Sequence, residues 1–375
     1  MMNRHDRDIL LALVTCGLAA SDTDVASRFA PLFGEGADKP DWQSIYKHSS
    51  VQGVLAVAWD GLQRLADAGV IADEMMPDPK IAIHWVGNVQ IIENTYSRQE
   101  RAIARLSRFL SEHDIRMMLL KGYGLSLCYP VPEHRPCGDI DIWLYGRQSD
   151  ADRLLREKGV KIDEDKHHHT VFFIGRVMVE NHFDFLNVHS HSSNRGLEQI
   201  LQTKAAASSE TVEVDGSRVE LPPADFNALF LLRHAAGHYA AENIGLRHIV
   251  DWAVFVRHYG ASVDWQWLES VAREYNMHRF LHCLNVLAVE CTGIDEKLFP
   301  LYEHDELEER VLNDILDPEF KGVRPASGFL KLNIYRLRRW WANRWKHQLV
   351  YREGLIKTFI VQLHSHLIKP KSFTC

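Results

Sequence analysis

The fold is decided by residues 119–144, which read LLKGYGLSLCYPVPEHRPCGDIDIWL. Within this stretch Asp139 and Asp141 stand one apolar residue apart, inside a short run of strand-forming residues. Because side chains alternate between the two faces of a strand, both carboxylates must point to the same face. The pair therefore predicts a site for a divalent cation, since hard cations take oxygen ligands.

The residues before the aspartates predict a strand, a turn and a short helix. Residues 117–120 form a compact apolar run that is typical of a buried strand, and Lys121 and Gly122 then turn the chain. Residues 125–129 form a short helix that ends at Pro130, because proline cannot continue a helix.

The residues after the aspartates predict a second strand, a helix and a hairpin. The strand is 140–145, the helix is 150–158, and the hairpin strands are 171–174 and 177–185, joined at Gly175-Arg176. The last strand supplies a third carboxylate, because one of its faces carries Glu180, His182 and Asp184. This order of elements predicts an α+β fold class with a small mixed β-sheet domain.

Helical periodicity on both sides of this domain predicts flanking helical regions. In the first region apolar residues recur at helical spacing, beginning with Ile9, Leu10, Leu13 and Val14. We predict three parts: a helical N-terminal region over 1–112, the domain with the carboxylates over 113–215, and a helical C-terminal region with a basic tail over 216–375.

The composition indicates a folded, soluble protein. The 375 residues are long for one core, and a hydrophobic fraction of 46% is ordinary. A formal charge of −7 argues against uniform coating by nucleic acid, although it allows a local basic face. The six cysteines are scattered and form no C-x-x-C pair, which predicts reduced thiols.

One segment near the start is a candidate for targeting. The apolar run 9–20 is too short to span a bilayer. Ahead of it Arg4 and Arg7 are matched by Asp6 and Asp8, so the charged leader of a secretory signal is missing. We therefore expect no transmembrane segment and a cytoplasmic location.

Short motifs follow one another along the chain, namely Lys121-Gly122, Tyr129-Pro130, Arg135, Gly138-Asp139-Ile140-Asp141 and Val179-Glu180-Asn181-His182. Together they resemble the nucleotidyltransferase superfamily to which DNA polymerase beta belongs. More narrowly, the chain resembles an uncharacterised bacterial nucleotidyltransferase family, in which helical segments such as 231–238 and 245–252 follow the catalytic domain. The resemblance covers roughly residues 80–260.

The resemblance implies transfer of a nucleoside monophosphate from an NTP to an acceptor, with Mg²⁺ or Mn²⁺ as cofactor. The implied catalytic residues, which are also the metal ligands, are Asp139, Asp141 and Glu180. The implied contacts to the NTP are Lys121, Gly122, Gly124 and Arg135. A small molecule, a sugar-linked molecule and RNA all stay open as acceptors, because the fold does not choose among them.

The turn Gly122-Tyr123-Gly124 departs from the superfamily pattern, which has Gly-Ser or Gly-Gly there. Lys121 or the backbone amides of the turn could replace the missing hydroxyl, because glycine lets the backbone approach phosphate closely. The alternative function is a catalytically inactive nucleotide- or RNA-binding interaction module of the same fold. An alternative role for Arg135 is to pair with Asp139 or Asp141 when metal is absent, and the two roles are compatible.

Histidines and charged pairs outside these motifs have alternative interpretations. Residues 167–169 are three consecutive histidines that cannot all face one ion, so we expect a solvated loop or strand entry rather than a metal site, with nucleotide contact as the alternative. His234 and His238 lack the glutamate of H-E-x-x-H, and we expect a buried network rather than substrate contact. Arg247 and Asp251 are expected to pair along their helix.

The C-terminal segment interleaves basic and aromatic residues, which include Lys331, Arg336, Arg338, Arg339, Trp340, Trp341, Arg344, Trp345, Lys346, Arg352 and Lys357. This pattern suits RNA, where cations meet phosphates and aromatic rings stack on bases. It also suits an anionic membrane surface. A third interpretation is an amphipathic helix whose tryptophans pack on the acidic part of the same chain.

Overall fold

A mixed β-sheet carries the two aspartates in the computed structural model, which describes residues 2–20, 25–34, 36–166, 168–207 and 209–358. Within these residues the sheet has six strands in the order β3-β4-β2-β1-β6-β5. The strands are β1 Met118–Leu119, β2 Ile140–Trp143, β3 His169–Ile174, β4 Val177–His182, β5 Glu210–Val214 and β6 Ser217–Leu221.

Helices precede, interrupt and follow the sheet. Before it come α1 Arg4–Leu18, α2 Trp42–Val51, α3 Leu55–Asp67 and α4 Pro79–Ser111. Between its strands come α5 Lys121–Ser126, α6 Gln148–Glu157 and α7 Ser193–Ala205. After it come α8 Ala224–Ala241, α9 Leu246–Tyr259, α10 Trp265–Glu274, α11 His278–Thr292, α12 Leu307–Leu316, α13 Phe329–Ala342 and α14 Arg344–Val350.

The register of the three strands β2, β4 and β3 positions the candidate site. Strands β2 and β4 are parallel, and Asp141 is the direct partner of Glu180. Strand β3 is antiparallel to β4, and there His169 is the partner of His182. Because registered partners lie on the same face of a sheet, all four side chains project to one side.

The opposite face of the sheet is apolar and packs on α4 and α6. Ile140 and Ile142 of β2 share a buried cluster with Leu106 of α4 and Leu155 of α6. Helix α4 begins where the Asp78 side chain accepts a hydrogen bond from the Lys80 amide, with Pro79 in the first turn. Along β2, therefore, Ile140 and Ile142 face the apolar layer, whereas Asp141 between them faces the candidate site.

The N-terminal and C-terminal helices share one large core with the site-side face of the sheet. Trp143 of β2 and Phe185 belong to this core together with Trp85 and Trp252. Helices α1 and α3 approach closely within this core at Gly61. A β-carbon built at Gly61 would lie only 1.8 Å from the Leu13 carbonyl oxygen. The helical regions are therefore packed against each other as well as against the sheet.

The predicted α+β fold, a mixed sheet with helices on both sides, is confirmed. The hairpin turns at Gly175, whose φ of 62° suits glycine, as the Gly175-Arg176 turn predicted. The short helix α5 spans Lys121–Ser126 rather than 125–129, and its first two residues form a tight turn with positive φ instead of regular helix. Within the described residues, no helix is long and apolar enough to cross a membrane.

The described part of the basic tail packs on the acidic segment, as one of the three interpretations predicted. The Lys346 ammonium is buried and pairs with the buried Asp314 of α12. The Arg310 guanidinium lies 3.8 Å from the centre of the Trp345 ring. Other parts of the tail stay exposed, including Trp341, and residues 359–375 lie outside the described residues.

Candidate active site

A buried cluster of charges surrounds Asp141. The Nε2 atom of His182 lies 2.9 Å from Oδ1 of Asp141 and 3.4 Å from Oε2 of Glu180. The Lys121 ammonium lies 3.2 Å from the same Asp141 oxygen. The structure therefore brings together three of the predicted site residues, Lys121, Asp141 and Glu180, and adds His182 between the two carboxylates.

The turn that delivers Lys121 has an unusual backbone. Lys121 has a φ of 21°, and Gly122 has a φ of 38° with a ψ of −114°. Gly122 borders the same cavity as the carboxylates. Gly124 lies inside α5 and is buried, and a β-carbon there would come 2.9 Å from Cδ2 of Leu221.

Asp139 stands at the edge of the cluster, immediately before β2. It borders the cavity with Asp141, and the Gln99 side chain holds the preceding residue by donating a hydrogen bond of 3.1 Å to the Gly138 carbonyl. Burial and repulsion by Asp141 raise the pKa of Asp139. A cation bound nearby would therefore stabilise the ionised form of the Asp139 carboxylate.

The cations around Asp141 outweigh the cost of its burial. Burial opposes ionisation, but Lys121 and the hydrogen bond from His182 hold the pKa of Asp141 below its usual range. The pKa of His182 is raised to about 9, because its hydrogen bonds to Asp141 and Glu180 outweigh burial. Its Nδ1 also faces the Asp184 carbonyl oxygen at 3.2 Å, so both ring nitrogens act as donors and the ring is an imidazolium.

The oxygen atoms of this cluster fit a divalent cation. The Oδ2 atom of Asp141 is buried and accepts no hydrogen bond from the described residues, although a buried carboxylate oxygen normally has a partner. One donor atom each from Asp141, Glu180 and His182 lie within 4.8 Å of one another. Carboxylate oxygens are the ligands that Mg²⁺ and Mn²⁺ prefer.

A cavity of about 310 Å³ opens beside the carboxylates and is closed by α8 and α9. Its helical wall includes Leu231, His234, His238, Arg247, His248 and Trp252. The rings of His234 and His238 are 4.4 Å apart, and His248 lies 6.2 Å from His234. Burial and the nearby Lys121 lower the pKa of His234 well below its usual value, so this ring is uncharged at neutral pH and Arg247 is the cation of the helical wall.

Arg135 has a structural partner that the sequence did not indicate. Its guanidinium forms two hydrogen bonds with the Asp251 carboxylate of α9, at 2.8 and 2.9 Å, and Tyr129 donates a third at 2.6 Å. Arg135 is buried, although it also borders the cavity. The prediction that Arg135 pairs with Asp139 or Asp141 is therefore wrong, because two nitrogens of its guanidinium donate to the Asp251 carboxylate.

Arg247 borders the cavity, and its partner differs from the one that its spacing on α9 predicts. It does not pair with Asp251, as its spacing on α9 suggested, and instead donates a hydrogen bond of 3.1 Å to the Pro136 carbonyl. Within the described part of the chain Arg247 forms no ion pair, and it borders the cavity. Only the fold brings it there, since 111 residues separate it from its partner.

His168 and His169, at the start of the hairpin, do not lie in a solvated loop. His169 is the first residue of β3 and is buried, as is its strand partner His182, while His168 is half-buried. His167 lies outside the described residues. The prediction of a strand entry is thus confirmed for His169, and that of solvation is wrong, because the register directs His169 to the site face.

Asp184 does not join the carboxylate cluster. Strand β4 ends at His182, so the alternation that would have aligned Asp184 with Glu180 stops before it. The backbone amide of Asp184 donates instead to the His168 carbonyl.

Comparison with known proteins places this architecture. The sequence matches the family model described as "Uncharacterised nucleotidyltransferase" over residues 38–293. Among solved structures it is similar to the crystal structure of an antigenic nucleotidyltransferase-like protein from Paracoccidioides brasiliensis, at 13% identity and a TM-score of 0.34, covering 53% of this chain and 95% of that one. No curated protein matched. Because the family match covers more than half of its length, the chain belongs to the uncharacterised nucleotidyltransferase family.

Proposed function

We propose that this protein transfers a nucleoside monophosphate from an NTP to an acceptor hydroxyl in a Mg²⁺- or Mn²⁺-dependent reaction. The observation that carries the proposal is the registered pair Asp141 and Glu180 with Asp139 beside it, where Asp139 and Asp141 line a cavity. Family membership supports transferase chemistry. We also propose that residues 113–215 form the catalytic domain, with β6 completing its sheet.

Each residue of the cluster has a task in this reaction. Asp139, Asp141 and Glu180 would hold the divalent metal, which neutralises phosphate charge and activates the attacking hydroxyl. Lys121 is close enough to Asp141 to leave it for a phosphate oxygen by a side-chain rotation. Arg247 offers a guanidinium without a carboxylate partner in the described structure, which is the geometry that binds phosphate in bidentate fashion.

The turn offers the backbone contribution to phosphate binding. Gly122 borders the cavity, and its strained backbone leaves the approach to its amide free of a side chain. The proposed contacts to the triphosphate are therefore Lys121, Gly122 and Arg247, with Arg135 positioning the loop before Asp139 rather than contacting phosphate itself. The wall of His234 and His238 would then face the base or the acceptor.

The test is incubation of the full chain with each α-labelled NTP, Mg²⁺ or Mn²⁺, and cell extract. We expect one class of molecule to acquire label, and Asp139→Asn with Asp141→Asn to lose at least about 10²-fold of the rate, as removal of one preorganised electrostatic group commonly does. Asp184→Asn is the matched control, since its carboxylate lies outside the cluster. Equal labelling by the double variant would refute the proposal.

The alternative is an inactive nucleotide-binding module, and one observation favours it. Lys121 and His182 already neutralise Asp141 without a metal, as they would in a site that only binds. This alternative predicts calorimetric NTP binding by the full chain with no labelled product under any metal.

RNA is the acceptor or partner that the tail would favour. Arg336, Arg338, Arg344 and Trp341 are exposed on α13 and at the start of α14, whereas Lys346 is buried. Exposed cations beside an exposed ring suit a nucleic-acid backbone with a stacked base.

A further inference from the structure

Three histidines form a second cluster on the same face of the sheet as the carboxylates. His169 and His182 are direct partners across β3 and β4, and His168 immediately precedes β3. One ring nitrogen of each lies within 4.8 Å of the others. The three rings contact edge-on or tilted, with centres 4.4 to 5.6 Å apart.

The nitrogens of this cluster lack ordinary partners. Neither ring nitrogen of His169 makes a hydrogen bond to any described residue, and the same holds for Nδ1 of His168. Both nitrogens of His169 are buried, and Nε2 is 3.5 Å from Oε1 of Glu180. Buried polar atoms are almost always hydrogen-bonded in folded proteins, so three such nitrogens at one place indicate a missing ligand.

The missing ligand is a cation rather than an anion or a hydrogen-bonding solute. Lys121 and His182 do no more than offset the charges of Asp141 and Glu180, so no net positive charge is left on this face to hold an anion. Neither ring nitrogen of His169 has a hydrogen-bond partner among the described residues, so a ring lone pair is available for metal ligation. Half-buried His168 supplies a route from solvent.

The ligand atoms distinguish this site from the oxygen site for Mg²⁺. Imidazole nitrogen suits Zn²⁺, Cu²⁺, Ni²⁺ and Fe²⁺, whereas Mg²⁺ takes oxygen. Two nitrogens on one tetrahedral Zn²⁺ are about 3.4 Å apart, so the rings must close by up to about 1.4 Å, which side-chain rotation can supply. Glu180 is placed to be the fourth ligand.

We propose that His168, His169 and His182 bind a transition-metal ion of the Zn²⁺ class through their ring nitrogens, with Glu180 completing the site. His182 belongs to both clusters, because its Nε2 is bound to Asp141 in this structure. Because both nitrogens of this ring are donors in the metal-free site, its ligation to the ion would release one proton to solvent, and Asp141 would become free for its own metal. The site is thus coupled to the carboxylate cluster through His182 and Glu180.

The experiment uses the full chain, stripped with a chelator, in the absence of any NTP. Equilibrium dialysis against Zn²⁺ in the presence of excess Mg²⁺, with the metal measured by mass spectrometry, should give about one Zn²⁺ per chain. Co²⁺ in place of Zn²⁺ should give visible absorption bands that Zn²⁺ abolishes. The absence of stoichiometric Zn²⁺ binding would overturn the proposal, whatever the protein does with nucleotides.

Variants assign the ion to these histidines. His169→Ala and His168→Ala should each weaken Zn²⁺ binding by at least about tenfold, because even outer-shell changes cost 10- to 100-fold. His238→Ala, a matched histidine in the neighbouring cavity, and the exposed His258→Ala should bind as the parent does. Unchanged affinity in both His168→Ala and His169→Ala would contradict the proposal.

Two further variants separate the outcomes. Asp139→Asn removes a carboxylate of the oxygen site only, so it should leave Zn²⁺ binding intact, and a loss equal to that of His169→Ala would assign the ion to the oxygen site instead. If His169→Ala fails to fold, as judged by circular dichroism, then His169→Gln fills the space with a poor zinc ligand and carries the same expectation.

Discussion

Asp139 and Asp141 are neighbours on one face of the chain, yet their surroundings shift their pKa values in opposite directions. Lys121 and His182 lower the pKa of Asp141, whereas burial and the negative charge of Asp141 raise the pKa of Asp139. The sequence could predict that both point the same way, because strand alternation is a local rule. It could not predict which of them is neutralised, since His182 reaches Asp141 from a strand 41 residues away.

These fields predict opposite effects on stability for two similar substitutions. Asp139→Asn removes a charge whose pKa is raised by folding, so the metal-free protein should become slightly more stable at pH 7. Asp141→Asn leaves Lys121 and His182 without their anion and should cost about 3–5 kcal/mol. Thermal melting in a chelator measures both, and equal destabilisation by the two changes would contradict the assigned environments.

Substitutions of Arg135 and Arg247 should have different effects, one on stability and the other on NTP binding. Arg135→Ala should destabilise the protein by about 3–5 kcal/mol, because it leaves Asp251 buried and unpaired. Arg247→Ala should leave the melting temperature nearly unchanged but weaken NTP binding by about tenfold or more, the value of a charged hydrogen bond. Denaturation and calorimetry with an NTP analogue give the two readings, and a reversal of the roles would restore Arg135 to the phosphates.

At the scale of elements, the local sequence predicted individual strands and turns, whereas long-range pairing determined how the strands are arranged in the sheet. The hairpin of β3 and β4 was predictable, because Gly175 turns two apolar runs. The strand order was not, since β1 pairs in parallel with β6, and Met118 is matched with Glu220 about a hundred residues later. The early end of β4 also removed Asp184 from the predicted face.

Strand β6 predicts a pH dependence of stability through Glu220. Burial opposes its ionisation, but hydrogen bonds from Arg116, Ser209 and Tyr145 lower the pKa of Glu220 to about 2. Because this pKa is depressed by folding from 4.5, the stabilisation is complete above about pH 4.5 and is lost as the pH falls towards 2. Glu220→Gln should lower the stability at pH 7 by about 1–3 kcal/mol.

Denaturant titrations at several pH values measure that dependence. The difference between the parent and Glu220→Gln should shrink on acidification and vanish near pH 2. The exposed Glu213, on the neighbouring strand β5, provides the matched control Glu213→Gln, which should not change the profile. A constant difference across the acidic range would show that shape, rather than charge, explains the effect.

The contact between α1 and α3 predicts that two glycines respond oppositely to alanine. A β-carbon at Gly61 would meet the Leu13 backbone, so Gly61→Ala should cost about 1–3 kcal/mol or more through overpacking. A β-carbon at Gly87 in α4 would have no described neighbour within 4 Å, and Gly87→Ala should stabilise by about 0.5–1 kcal/mol. Thermal melting of the two variants decides this, and a tolerated Gly61→Ala would contradict the close helix contact.

At the scale of the whole molecule, the basic tail is part of the fold as well as a candidate surface. Lys346 and Trp345 are held by the acidic helix α12, so removal of residues 331–375 would delete core residues such as Val350 and leave the buried Asp314 without its cation. The sequence pattern mixed these buried groups with exposed ones because burial depends on distant residues. A test of RNA binding therefore needs substitutions rather than truncation.

Three exposed arginines provide that test. Arg336→Ala, Arg338→Ala and Arg344→Ala together should reduce the slope of log affinity for single-stranded RNA against log salt by about 2, or about 0.7 per phosphate contact. The fold should be retained, since these side chains are exposed. Filter binding across a salt series measures the slope, with Lys80→Ala, an exposed residue at the start of α4, as a control. An unchanged slope would exclude this surface.

The pair of Arg135 and Asp251 makes the sheet that carries Asp139 and Asp141 dependent on the helices that follow it. Excision of residues 113–215 would leave a guanidinium and a tyrosine hydroxyl facing an absent carboxylate, next to the loop that aims Asp139. Such a unit could not be exchanged freely between proteins. A recombination event that keeps the sheet functional must therefore keep α9 with it. Crossovers outside the segment from Tyr129 to Asp251 would be tolerated, and crossovers within it would be disfavoured.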